Sequence, residues 1–117
     1  MALSFEACVS ILKEHLSADE SSRGVVYAAD TPISAGQRLR FGRVAFEVTW
    51  SAHLAFVDRE PLANWAHSCR YVLINRETGE LVSHEARLPP FHTGANLQWR
   101  VAYKAEGVPD NALLAVP

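Results

Sequence analysis

Tyr71-Val72-Leu73-Ile74-Asn75-Arg76-Glu77-Thr78-Gly79-Glu80-Leu81-Val82-Ser83-His84-Glu85-Ala86 is written as a β-hairpin. Two apolar, partly β-branched runs flank a polar loop that ends near a glycine, as in a type I turn followed by a left-handed residue. Leu88-Pro89-Pro90-Phe91 stops the second run, because proline has no N–H to give to a ladder. Upstream, Val44, Phe46, Val48 and Trp50 alternate with Ala45, Glu47 and Thr49, which makes one face apolar. Leu39 and Phe41 follow the opposite phase, and Gly42 between the two patterns predicts a β-bulge or a bend. Downstream, Leu97, Trp99, Val101 and Tyr103 alternate with Gln98, Arg100, Ala102 and Lys104, a strand with one buried face. Val25–Ala28 and Leu54–Val57 are shorter apolar runs, separated by the turn-rich stretch Asp30–Gly36.

Ahead of the strands lies one helical pattern. Phe5, Cys8, Val9, Leu12 and Leu16 recur at helical spacing and predict a helix over 5–16 with one apolar stripe. Ser4 suits the N-cap, Glu6 sets a negative charge in the first turn, and Leu3 can staple onto Cys8. Polar residues from Ser17 to Arg23 and then Gly24 read as its terminator. No second helical period exists to serve as a crossover, so parallel βαβ units are excluded. The expectation is one α+β domain over 1–117: an N-terminal helix packed on a curved, mostly antiparallel sheet of about six strands between 25 and 104. The sheet is either a half-barrel or a two-layer sandwich, and the tail 106–117 lies over an apolar edge.

Composition narrows the function classes. With a net charge of -2 there is no basic surplus for nucleic acid, and no apolar run approaches membrane-spanning length. Arg outnumbers Lys nine to two and Ala is abundant, a bacterial-like composition that a GC-rich genome explains. The N-terminus lacks a basic, apolar leader, and two cysteines are too few for a disulfide framework. Both points favour a reducing, cytoplasmic setting with free thiols. No cofactor is implied.

Chemistry concentrates in Asp58-Arg59-Glu60-Pro61-Leu62-Ala63-Asn64-Trp65-Ala66-His67-Ser68-Cys69-Arg70, between two apolar runs. A loop held by a sheet is where binding groups are usually placed. Trp65 is either a seal on the core or an exposed anchor, and Asp58 and Asn64 are set to bond local backbone. His67 and Cys69, with Asp58 to orient the histidine, are the candidates for nucleophilic catalysis. The plainer reading is a small buried Cys at the start of a core strand. His53, His67, His84 and His92 are the candidates for a metal, with Asp58, Glu60 and Glu85 able to join them. They lie on separate elements, and neither HExxH nor CxxC is present. Arg38, Arg40 and Arg43 read as a solvated face that pairs with Glu47, Glu80 and Glu85.

The expected function is a small non-enzymatic binding domain for a protein or small ligand. Its contact residues are Asp58, Arg59, Glu60, Asn64, Trp65, His67 and Arg70. The alternative is a small hydrolase or metal-dependent enzyme that uses His67 and Cys69 with a carboxylate. A homodimer through an exposed Leu97–Lys104 strand is a further expectation, with neither nucleic acid nor membrane as a partner.

Overall fold

The computed structural model describes residues 2–41, 43–62, 68–87 and 97–113. Among these residues two helices precede seven strands: α1 (Phe5–Glu14), α2 (Ala18–Arg23), β1 (Val25–Ala29), β2 (Arg38–Phe41), β3 (Val44–Glu47), β4 (Ala52–Asp58), β5 (Cys69–Asn75), β6 (Leu81–Ala86) and β7 (Trp99–Lys104). A short 3-10 turn follows at Asp110–Ala112. Five strands form an antiparallel sheet in the order β6-β5-β4-β1-β7, and β2 with β3 forms a separate two-stranded sheet. The fold is α+β, and it is an open sheet with a hairpin laid on it rather than a closed barrel.

Helix α1 begins where the sequence predicts. Ser4 Oγ accepts from the Ala7 amide at 3.1 Å, with Glu6 in the first turn and Lys13 in the last. It ends two residues short of the expected 16. The chain then restarts as α2, in the stretch that reads as a terminator. The reason is a capping box. Ser17 Oγ accepts from the Glu20 amide at 3.1 Å, and Glu20 Oε1 accepts from the Ser17 amide at 2.9 Å.

The sheet is covered on both faces. Cys8 and Leu12 of α1 pack on Val26, Ala55, Val57, Val72 and Ile74. Leu39, Phe41, Phe46 and Val48 from the hairpin pack on Tyr27, Leu54, Phe56, Tyr71 and Leu73 across the opposite face. Strands β1 and β4 are therefore buried at every position. That explains their continuous apolar runs, since alternation marks a strand with one wet face.

The phase change at Gly42 is a hairpin rather than a bulge. Leu39 faces Phe46 and Phe41 faces Val44, so the two strands pair antiparallel as the arms of one hairpin. Across such a connection the inward positions must be odd on one strand and even on the other. The predicted hairpin at 71–86 forms as read. Asn75 Oδ1 accepts from the Glu77 and Thr78 amides at 2.7 and 3.2 Å, and Gly79 takes φ 79°.

Strand β7 departs from its expected alternation. Val26 faces Tyr103 while Tyr27 faces Val101, so Ala102 is an extra residue on the edge strand. The bulge leaves Trp99 buried but turns Val101 out, 38% exposed. Beyond it, Val108 is buried and Leu113 packs against the same cluster as Trp99, so the described part of the tail lies on the core.

Candidate functional site

The stems of the 58–69 loop are held by one carboxylate. Glu20, on the single turn-and-a-half of α2, is 2% exposed. Arg59, just past the end of β4, donates Nε to Glu20 Oε2 at 2.8 Å. Arg70, at the start of β5, donates Nε to the same oxygen at 2.8 Å and Nη2 to Oε1 at 2.9 Å. Arg59 then reaches Glu85 on β6 with both terminal nitrogens, at 2.5 and 2.9 Å, and gives Nη1 to Ser68 Oγ at 2.9 Å. Arg70 Nη1 bonds Ser83 Oγ at 2.6 Å. Two guanidinium groups and two carboxylates are thus paired, which a buried charge requires.

The electrostatics follow from this pairing. Burial works against the charge on Glu20, but hydrogen bonds from Arg70, the Ser17 amide and Arg59 outweigh it and hold the carboxyl at about 2. The bidentate bond from Arg59 holds Glu85 below the ordinary carboxylate range, and the same bond raises Arg59 further. Neither carboxyl is a proton donor at neutral pH.

Asp58 begins the loop as expected, with Oδ1 accepting from the Glu60 amide at 3.0 Å. Glu60 itself is exposed. Leu62 is 72% exposed and stands beside a cleft of about 370 Å³. That cleft lies between the end of α2 (Ser22, Arg23), Arg59–Leu62 and Glu106–Val108. A second cleft, about 560 Å³, lies on the hairpin side between Phe41, Arg43 and Val44, Ser68 and Glu85–Arg87. Arg59 lines the first and Glu85 the second, so their ion pair is the partition between the two. Asn64, Trp65 and His67 lie outside the described residues.

Cys69 is fully buried on the hairpin face of the sheet, in the cluster with Tyr71 and Phe56. Burial, together with the Asp58 carboxylate opposite it, pushes its thiol up to about 12. Cys8 is buried under α1, and burial raises its thiol too.

The histidines do not converge within the described structure. His53 lies on the α1 face of β4 against the Phe5 ring, with centroids 5.3 Å apart. His84 lies on the opposite face, stacked on Phe46 at 4.1 Å. Burial lowers the pKa of both, and Arg76 lowers that of His53 further. His92, like His67, lies outside the described residues. Among the described residues no group of three or more His, Cys, Asp or Glu is placed to hold a metal ion. Of the arginine face, Arg38 sits opposite Glu47 in the register of β2 with β3. Glu85 instead answers to Arg59.

Glu20 is the residue that sequence reasoning missed. Its signal is Ser17-Ala18-Asp19-Glu20, the S-x-x-E spacing of a capping box, hidden inside a polar run. In comparisons with known proteins, no family model, no curated protein and no solved structure matched the chain. No helix among the described residues is long and apolar enough to cross a membrane.

Proposed function

We propose that this is a non-enzymatic binding domain that recognises a small ligand or a protein through the 58–69 loop. The observation that carries the reading is the anchoring of both loop stems, Arg59 and Arg70, on the buried Glu20, with exposed Leu62 beyond them. A base fixed by ion pairs beside an exposed apolar side chain favours recognition, because the stems need no ordering on binding. Asp58, Arg59, Glu60, Asn64, Trp65, His67 and Arg70 are the proposed contact segment, with Arg59 and Arg70 holding it in place.

Protonation states favour binding over catalysis. A general acid or base works best with a pKa near the operating pH. Here Glu20 sits at about 2 and Cys69 at about 12. A thiol that is buried and protonated is a poor nucleophile, so Cys69 supports the hydrolase reading weakly.

The test is backbone amide chemical-shift mapping with a fragment set of aromatic acids, amines and neutral compounds. The expected result is shifts grouped at 59–62 and 68–70, lost in Leu62→Ser while its melting curve stays unchanged. Shifts grouped on a surface away from the loop stems and from both clefts beside them, or none in the whole set, overturn the reading.

A further inference from the structure

The second cleft carries a chemistry of its own. Its floor is apolar, made by buried Phe41 and Ala86 and half-buried Val44. Its mouth holds two exposed arginines, Arg43 from the hairpin turn and Arg87 just after β6. Neither makes an ion pair among the described residues. One acidic group, Glu85, also lines the cleft, but both of its oxygens are taken by Arg59 at 2.5 and 2.9 Å. Ser68 Oγ already accepts from Arg59, so its own proton is left to donate.

Two cationic forks and a hydroxyl donor above an apolar floor suit one kind of ligand. We infer that the cleft between the β2–β3 hairpin and the end of β6 binds a small apolar carboxylate. The apolar body rests on Phe41, Val44 and Ala86, and the carboxylate meets Arg43, Arg87 and Ser68. The inference names a ligand class for the inner side of the loop, and so rests on the binding reading. It predicts a preference for charge over shape. An amine of the same shape loses both arginine contacts and gains only a carboxylate that is already neutralised.

The test compares 4-phenylbutyrate, 4-phenylbutanol and 4-phenylbutylamine by amide chemical-shift titration of the full chain. The acid is expected to shift Phe41, Val44, Ser68, Ala86 and Arg87, and to bind about tenfold or more tightly than the alcohol, the worth of one or two charge-assisted hydrogen bonds. The amine is expected to bind more weakly than either. Arg43→Ala with Arg87→Ala should bring the acid down to the affinity of the alcohol and leave the alcohol unchanged. Both arginines are exposed, so the melting curve of the double variant serves as the folding control. Ser68→Ala, with its smaller loss for the acid alone, is the second variant. The inference fails if the alcohol binds as well as the acid, or if the double variant keeps the preference for the acid. It also fails if no probe shifts the cleft. If the acid instead shifts 59–62 and 106–108, the ligand class assigned to this cleft is wrong while the loop remains a binding element.

Discussion

Glu20→Gln is the sharpest perturbation available, because one substitution removes the acceptor shared by two arginines. Its size can be worked out in two ways. Glu20 is held at about 2 against an ordinary 4.5, which corresponds to a contribution on the order of 3 kcal/mol to folding stability. The sign follows from the direction. A depressed carboxyl stabilises the fold fully above its ordinary value, and the contribution is lost as the pH falls from about 4.5 through about 2. Independently, breaking a buried ion pair by removing one partner costs about 3–5 kcal/mol, since the other charge is left uncompensated. Glutamine keeps the shape and one acceptor but turns an N–H₂ towards guanidinium nitrogens that already donate. The expected loss is about 3–5 kcal/mol at pH 7, measured by urea unfolding. The wild type should also lose stability between pH 5 and pH 2 more steeply than the variant, because the variant lacks this titration. A loss under about 1 kcal/mol, or the same pH slope in both proteins, refutes the view that Glu20 holds the loop stems together.

Three further outcomes follow from the packing. Leu12→Ala should cost about 2–5 kcal/mol in urea unfolding, because Leu12 is fully buried between α1 and the sheet. A loss below half a kcal/mol places α1 outside the core. Neither Cys8 nor Cys69 should react with a thiol reagent in the folded protein at pH 7, and both should react in denaturant. Rapid labelling of folded Cys69 contradicts its burial. Gly79→Ala should cost about 1 kcal/mol or more, since the residue takes φ 79° and an added Cβ meets Ile11 Cδ1 at 2.8 Å. A neutral melt shows that the turn relaxes freely.

The legible parts of this sequence were those where local chemistry settles the outcome. Ser4, Asn75 and Gly79 each make or permit a bond within a few residues, and the helix start and the hairpin turn sit where they predict. The phase change at Gly42 was visible, but its meaning was not. A bulge and a two-residue hairpin both shift the inward face by one position, and only the pairing of Leu39 with Phe46 separates them. The bulge at Ala102 left no mark, because its cause is the register against β1, some seventy residues earlier in the chain. The same holds for the loop anchor. Arg59 and Arg70 stand in the sequence as candidate contact residues and Glu85 as a partner for the arginine face or a metal, and their part in anchoring the loop emerges only when Glu20 arrives from a helix 39 and 50 residues away from the two arginines. Local bonds are readable in one sequence, and long-range ion pairs are not.

Where recognition falls also depends on how the fold treats its open edges. A long, flat edge strand invites pairing with a second chain. Strand β7 is the edge that would support a homodimer through Leu97–Lys104. It carries the extra residue Ala102, which bends the strand and interrupts a regular ladder. Two of its side chains are also engaged sideways, Arg100 with Asp30 at 2.5 Å and Lys104 with Asp110 at 2.6 Å. Pairing there must flatten the bulge and bring a second copy past charged groups. The opposite edge of the described sheet, β6, carries Glu85, fixed by Arg59. The 58–69 loop meets neither obstacle. Its stems are fixed by Glu20, Leu62 already faces solvent, and a cleft opens on each side of the Arg59–Glu85 pair. Among the described surfaces, the loop stems are therefore where we propose that a partner binds, since contact there leaves the sheet undisturbed.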